Sequence, residues 1–521
     1  PSASSMDGYE SPLSGRYASR EMQSVWSARR KFGTWRKIWL AVAEAQHETG
    51  LPVSKEQVEE LRANLDITDA DMAAAAEYER KLRHDVMAHV HAWGDRCPKA
   101  KGIIHLGMTS QDINDNCELL LIHEAMGIIE KKVDRLIVAL GGFAEKWKST
   151  PTLGFTHYQP AQPTTVGRRA AQWAFDVAES WNVYGNSMLR GLRGATGTQA
   201  SFLNLFDGDA LRLQEFEVRA ILKLLPSSDL EYWEILESRL REQQHSSRSQ
   251  SMQKGMSSDE SMATQLAEFL RLQTFTLSGQ TYPRVVDARV VSELGCIASV
   301  LHKIATDIRL LSNRKEIEEP FERDQIGSSA MPYKRNPMRC ERVCALSRFV
   351  WNLVGNAYDT AATQWLERTL DDSANRRMVL PEAFLALDGC LDIMINVAGG
   401  LIVNEAMVKK NLMAELPFMV TEAVMMEAVK KGGDRQELHE VIRRHSMEAG
   451  RRVKQEGAEN DLIERLKAEP LLMGVDIDAM MDPMKHIGLA VEQTERFIAE
   501  VVEPMRQHLG DGAGEETELR V

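Results

Sequence analysis

Apolar residues recur along this chain at alternating steps of three and four. Ile122, Met126, Ile129, Val133, Leu136 and Leu140 form one stripe, and Leu294, Ile297, Leu301, Ile304, Ile308 and Leu311 a second. Val343, Leu346, Val350 and Leu353 form a third, and Phe384, Leu387, Leu391 and Met394 a fourth. The spacing keeps one helix face apolar and, sustained over several turns, predicts long helices lying nearly parallel to their neighbours. Several such segments in mid-chain predict a long central helical bundle. Strand-like alternation and a βαβ rhythm are both missing, so the expected class is all-α.

The chain has 521 residues. A single hydrophobic core stops growing at roughly 250–300 residues, so more than one domain is expected. Gly107-Met108-Thr109-Ser110 reads as a loop before the first long helix, and the last domain begins near Gly399-Gly400. The expected division is three helical domains: an N-terminal one over 1–110, the bundle over 111–402, and a C-terminal domain with an acidic tail over 403–521. Asp434 with Glu437, after Gly432-Gly433, has the form of a capping-box helix start. An insertion near 225–265 contains the Ser- and Gln-rich stretch Gln243 to Ser261, which predicts a poorly ordered surface segment. The Gly-rich acidic end, LGDGAGEETELRV, predicts a tail.

Composition narrows the function classes. Hydrophobic residues make up 43% and charged residues 27%, as in a soluble globular protein. A net charge of −13 argues against broad nucleic-acid binding. No apolar run is long enough for a bilayer, and PSASSMDGYE has no secretory pattern, although the first residue is not Met. The 6 cysteines are scattered without a C-x-x-C pair, so reduced thiols in the cytoplasm are expected rather than a disulfide framework. Cys340 and Cys344 share a helix face; core packing is favoured there over a two-cysteine metal site.

Four segments carry candidate chemistry. Gln325 to Pro337 contains Gly327, two hydroxyls (Ser328 and Ser329) and two prolines, with Lys334, Arg335, Arg339 and Arg342 close in sequence. It reads either as a mobile reactive loop facing a small anion or as an ordinary polar loop. Thr152 to Thr165 places His157 among Thr and Gln donors between prolines, in reach of acid–base chemistry or of mere loop bonding. In Arg83-His84-Asp85-Val86-Met87-Ala88-His89 the two histidines stand five apart, which turns them away from one another on a helix, unlike H-E-x-x-H. Glu367 to Arg377 holds three arginines and Ser373, an anion site or a solvated turn. P-loop, dinucleotide and nucleophile-elbow motifs are missing; Gly194-Ala195-Thr196-Gly197-Thr198 lacks the spacing of either glycine motif.

Taken in order, these segments resemble the aspartase/fumarase superfamily, in its branch acting on phosphorylated purine ribotides. The resemblance is carried by Gly327-Ser328-Ser329-Ala330-Met331-Pro332-Tyr333-Lys334-Arg335-Asn336-Pro337, Ser14-Gly15-Arg16-Tyr17, Arg83 to His89, and Ile104-His105-Leu106-Gly107-Met108-Thr109-Ser110. Gly154-Phe155-Thr156-His157, Gly279-Gln280-Thr281-Tyr282, Glu367 to Arg377 and Asn460-Asp461-Leu462-Ile463-Glu464-Arg465 add to it, from about residue 10 to about 500.

The resemblance implies an all-α homotetramer whose active sites draw loops from three subunits. It implies β-elimination of fumarate from succinylated purine ribotides in purine synthesis, with no metal or organic cofactor. By similarity Ser328 is the general base, with Ser329 as runner-up, and His157 the general acid. Lys334 would stabilise the alkoxide, His84 would contact the phosphate or assist the acid, and Glu341 would support the acid–base pair. Arg16, Tyr17, Arg342, Ser373 and Arg377 would contact phosphate or ribotide, flanked by Arg83 and Asp85. Thr109, Ser110, Lys334 and Asn336 would surround the succinyl carboxylates, and Gln280 and Arg368 the base side. The insertion departs from the family pattern and is expected to project outward. Argininosuccinate lyase, or a non-catalytic structural protein on the same fold, are the competing readings.

Overall fold

The computed structural model describes residues 8–181, 189–225 and 258–510, with Gly512 and Leu519. Most of the expected insertion and the acidic tail therefore lie outside the described residues.

Helices dominate. In chain order the ones used below are α1 (Ala28–Glu48), α2 (Asp69–Leu82), α3 (Asp85–Arg96), α4 (Ser110–Trp147), α5 (Val166–Ser180) and α6 (Ser258–Gln273). They continue with α7 (Val285–Asn313), α8 (Met338–Asn352), α9 (Asp372–Gly400), α10 (Glu405–Met419) and α11 (Arg435–Arg451). Side-chain caps set several starts. The Ser27 hydroxyl accepts from the Arg30 amide, Thr68 and Asp71 form a full capping box, and Asp434 accepts from Gln436 and Glu437.

Three stripes fall where the periodicity places them: Ile129, Val133, Leu136 and Leu140 of α4, Leu294, Ile297, Leu301, Ile304, Ile308 and Leu311 of α7, and Phe384, Leu387, Leu391 and Met394 of α9 are buried. In the remaining stripe Val343 and Val350 of α8 are buried, Leu346 is half-buried, and Leu353 lies past the helix end at Asn352. Two boundaries differ from expectation. Helix α6 begins at Ser258, inside the span expected to be an insertion. Helix α9 runs back through Pro381 to Asp372, so part of the charged Glu367 to Arg377 run is a helix start rather than a turn.

Strands are few: β1 (Pro151–Thr156) pairs antiparallel with β2 (Gln159–Thr165), and β3 (Ile317–Glu318) with β4 (Ile402–Val403). The β1–β2 hairpin replaces the expected loop around His157. Pro160 and Pro163 lack the amide that a ladder uses, which hides β2 from sequence rules.

The chain divides into two compact units. The first comprises Pro1–Ile128, Asn182–Ser292 and Asn352–Leu385, and the second Ile129–Trp181, Glu293–Trp351 and Ala386–Val521. In the first, Trp35, Trp39, Trp93, Phe202, Phe206 and Phe216 are fully buried. In the second, Leu416, Val424, Leu438, Leu462 and Leu466 form a core of their own. A buried lysine, Lys132, lies between Asp388 and Asp392, reaching Asp392 at 2.8 Å. Among the described residues no helix is long and apolar enough to cross a membrane.

Candidate active site

In the first unit, the Arg83-His84-Asp85 cluster sits where α2 ends and α3 begins. Arg83 closes α2 in the left-handed conformation, φ 54°. His84 is the N-cap of α3, its Nδ1 accepting from the Met87 amide at 3.3 Å. That bond needs a lone pair on Nδ1, so a neutral ring carries its proton on Nε2. Nε2 lies 3.4 Å from the Ser110 hydroxyl, and Arg377 donates to Asp85 at 3.1 Å. Thr109 is held beside Ser110 by its amide, which donates to Asp112 at 2.8 Å. His89 is elsewhere: it is buried and stacked on Phe32 with ring centroids 3.9 Å apart. Burial, reinforced by Arg36, pushes its pKa down to about 4.

A polar cleft opens beside Arg368, Ser373 and Arg377. Nη1 of Arg368 reaches both Asp372 oxygens, at 2.8 and 2.9 Å. Asp372 also accepts from Arg284 at 2.8 Å, and Arg284 donates to Asp115 at 3.1 Å. Arg376 holds Asp287 at 2.7 Å and bonds Glu118 and the Tyr282 hydroxyl. Burial pushes the Asp115 carboxyl above its ordinary value, against the pull of Arg284 and Arg376. Burial disfavours the Arg284 charge too, yet Asp115 and its neighbours keep that guanidinium above its ordinary pKa. Arg376 is thus a buried strut while Arg377, the next residue, stays exposed at the mouth.

Gln280 and Arg16 complete this unit's share. The Gln280 amide donates to the Glu367 carbonyl at 2.9 Å, and its side chain to the Ala195 carbonyl at 3.1 Å. Arg16 and Tyr17 lie on a short π-helical turn, with the guanidinium 5.9 Å from the Tyr17 ring centroid. Among the described residues, no hydrogen bond or ion pair joins Arg16 to the cleft.

Sequence reasoning missed Lys31, Glu118 and Arg284, which line the cleft, and did not separate Arg376 from the other arginines of its run. A buried charge and a solvated one look alike in a sequence. The adjacent pair Arg376-Arg377 was the available signal, since neighbours on a helix point about 100° apart.

In the second unit, His157 stands at the tip of the β1–β2 hairpin. His157 and Tyr158 have φ of 55° and 56°, the two-residue turn of a tight hairpin, which normally selects Asn-Gly. Keeping a histidine there is costly. His157 is exposed and, among the described residues, makes no hydrogen bond or ion pair. The hairpin beneath it is fixed. Arg169 donates to the Leu153 carbonyl at 2.7 Å, and the Arg314 guanidinium lies 4.8 Å from the Phe155 ring centroid.

The Ser328 loop closes on itself. Ser328 Oγ accepts from the Met331 amide at 3.2 Å, and Asn336 Nδ2 donates to the Gly327 carbonyl at 2.8 Å. A Cβ on Gly327 would lie 2.1 Å from the Lys334 carbonyl oxygen. This glycine is needed for close approach rather than for loop freedom. Lys334 is exposed.

The expected cluster of four cations is broken up. Arg339 turns inward, donating to Asn396 at 2.8 Å and pairing with Glu322. Arg335 lies 3.9 Å from Glu318 and 5.0 Å from the Phe321 ring centroid. Glu341 faces Arg309 at 3.9 Å, and Arg342 is half-buried in the first turn of α8. Cys340 and Cys344 are both buried. Among the described residues, no hydrogen bond joins His157, Ser328 and Glu341 to one another.

The comparisons with known proteins agree along most of the chain. A family described as "Lyase" matches residues 11–204 and 232–351, and one described as "Adenylosuccinate lyase C-terminus" matches 417–497. An adenylosuccinate lyase of Saccharomyces cerevisiae is 43% identical over 516 residues, covering 97% of this chain and 98% of that protein. Those of Schizosaccharomyces pombe and Pyrococcus abyssi are 42% and 32% identical, covering 94% and 96% of this chain and 94% and 99% of theirs. Among solved structures, a fumarate lyase from Mesorhizobium sp. BNC1 superposes with a TM-score of 0.70 at 21% identity, over 93% of this chain and 99% of that one. A 3-carboxy-cis,cis-muconate lactonizing enzyme from Pseudomonas putida gives 0.73 at 22%, over 95% and 99%. At such identities the structures speak for the fold alone, and they share it.

Proposed function

The chain belongs to the adenylosuccinate lyase family and is a lyase, and from this premise we propose how its residues eliminate fumarate from adenylosuccinate, giving AMP, and from the succinylated imidazole-carboxamide ribotide. Ser328 removes a proton from the succinyl carbon next to a carboxylate. The electron pair collects on that carboxylate as an aci-carboxylate dianion. It then returns to form the carbon–carbon double bond as the carbon–nitrogen bond breaks. His157 delivers a proton to the departing nitrogen. The dianion needs fixed positive charge and donors, which Lys334, Asn336, Thr109 and Ser110 supply. Arg377, Ser373, Arg16, Tyr17 and Arg342 take the phosphate end, and Gln280 and Arg368 the base side.

One observation supports this assignment above others: an imidazole held at a strained hairpin tip, with neither ring nitrogen bonded among the described residues. A turn of this kind normally selects Asn-Gly, so the hairpin itself gains nothing from a histidine at that position. Serine is a weak base unless ionised, and the exposed Lys334 on the same loop is the group that would favour its alkoxide.

The working assembly in this reading is a cytoplasmic homotetramer in which loops of three subunits meet at each site. The domain division 1–110, 111–402 and 403–521 goes with it, supported by α4 starting at Ser110 and α9 ending at Gly400. Fumarate release by the purified chain tests the reaction, with argininosuccinate as the control substrate and solution mass measured in parallel. Release from argininosuccinate but not from the ribotides would overturn it.

A further inference from the structure

We propose that Arg190 is a positioning residue that sets the place of Gln280 and, through it, the balance between the two ribotide substrates. The inference rests on the reading above and deepens it.

Arg190 is 0% exposed. Its Nη1 pairs with Asp112 in the first turn of α4. Its Nη2 donates to the Gly194 carbonyl at 2.8 Å and to the Gly279 carbonyl at 3.1 Å. One guanidinium therefore ties three segments, and each adjoins an expected substrate contact. Asp112 accepts from the amide of Thr109 at 2.8 Å. Gly279 precedes Gln280. Gly194 precedes Ala195, whose carbonyl receives the Gln280 side chain at 3.1 Å. Asp112 also takes the amides of Arg193 and Gly194, at 2.9 and 3.1 Å. The glycine-rich run 194–198, without function as a phosphate loop, becomes the wall on which Gln280 leans.

The stack has no slack. A Cβ on Gly279 would lie 2.8 Å from the Glu367 carbonyl oxygen, the same oxygen that takes the Gln280 amide at 2.9 Å. A guanidinium is a rigid planar fork, so fixing one edge on Asp112 sets where the other edge holds Gly194 and Gly279. Lysine keeps the charge but holds no such separation. With its amide nitrogen engaged by Ala195, the Gln280 side chain offers its carbonyl oxygen to a ligand. The two substrates differ on that side: the succinyl nitrogen is attached to a purine ring in one and belongs to a carboxamide in the other. A shift of Gln280 therefore weighs on them unequally.

The test is kcat and KM for both substrates in wild type, Arg190→Lys, Asp112→Asn, Gln280→Ala and the Arg190→Lys/Gln280→Ala double variant. Arg190→Lys is expected to change the ratio of the two kcat/KM values by about fivefold or more, chiefly through KM, and to add nothing to that ratio in the Gln280→Ala background. A purely structural Arg190 lowers the active fraction and cuts both substrates alike, so an unchanged ratio overturns the proposal. If Arg190→Lys fails to fold, Asp112→Asn, which keeps the volume and one of the two acceptor oxygens, carries the same comparison. A wild type that cleaves neither substrate removes the functional reading itself, whereas an active wild type with an unmoved ratio removes only this inference.

Discussion

The Ser110 hydroxyl lies 3.4 Å from Nε2 of His84, so the first residue of α4 meets the N-cap of α3. The same imidazole caps α3 through Nδ1. One ring thus has a local structural duty and a face turned to the site, and the two can be separated. Asparagine also caps well, so His84→Asn should melt within about 0.5 kcal/mol of wild type, whereas His84→Ala should cost about 1 kcal/mol. Both should lose activity. Full activity in His84→Asn would leave His84 only the cap.

Ser328→Ala and His157→Ala should each slow fumarate release by roughly 10²–10⁴-fold if the two groups transfer protons. His157 is exposed and, among the described residues, Ser328 bonds only within its loop, so neither change should lower the melting temperature much. If sites are shared between subunits, mixing the two inactive proteins under exchange should restore measurable turnover. Silence from the mixture, with exchange demonstrated by mass, would count against shared sites.

Arg376 and Arg377 should part company. Arg377 is exposed and, among the described residues, pairs only with Asp85, at 3.1 Å, so Arg377→Ala should raise KM with little change in stability. Arg376 is buried against Asp287, Glu118 and Tyr282. Removing it strands carboxylates, and Arg376→Ala should cost about 3–5 kcal/mol. Denaturant melts beside steady-state kinetics separate the two effects.

His89 should make the first unit acid-sensitive. Its folded pKa is lowered to about 4, by burial first and by Arg36 next. The unfolded chain takes up the proton near pH 6.5, so stability present above that pH is lost as pH falls toward 4. His89→Phe, which keeps a ring against Phe32, should melt like wild type at pH 8. At pH 5 it should be more stable by on the order of 1–3 kcal/mol. Equal melting points at pH 5 would refute the assignment.

Asp134 should act in the opposite sense. Burial and then Glu130 raise its pKa to about 6, while His508 opposes them. The folded state holds a proton that the unfolded state has released near pH 4. The stability it supplies is present at low pH and lost as pH rises through 6. Asp134→Asn should therefore stabilise the protein at pH 8, by on the order of 1–3 kcal/mol, and change little at pH 4. Melts at the two pH values decide it.

Much of the fold was legible along the chain. The 3-4 stripes located α4, α7 and α9, because helix periodicity is a local property that burial then rewards. The misses are equally specific. The charged run Glu367 to Arg377 read as an anion site or a solvated turn, yet α9 starts within it at Asp372 and continues through Pro381. The hairpin under His157 carries Pro160 and Pro163 and turns through two non-glycine residues with positive φ, which local propensity disfavours at every step.

Residue types and order by themselves determined the class and the chemistry available: hydroxyl, imidazole and arginines in polar segments among long amphipathic helices. Tertiary structure alone decided which charges face a ligand and which brace the scaffold. Arg339 and Arg376 turn inward while Arg377 and Lys334 face out. The reason is physical. Periodicity is written in neighbours along the chain, whereas the cost of burying a charge depends on partners such as Asp287, 89 positions from Arg376 in sequence, that only folding brings within reach.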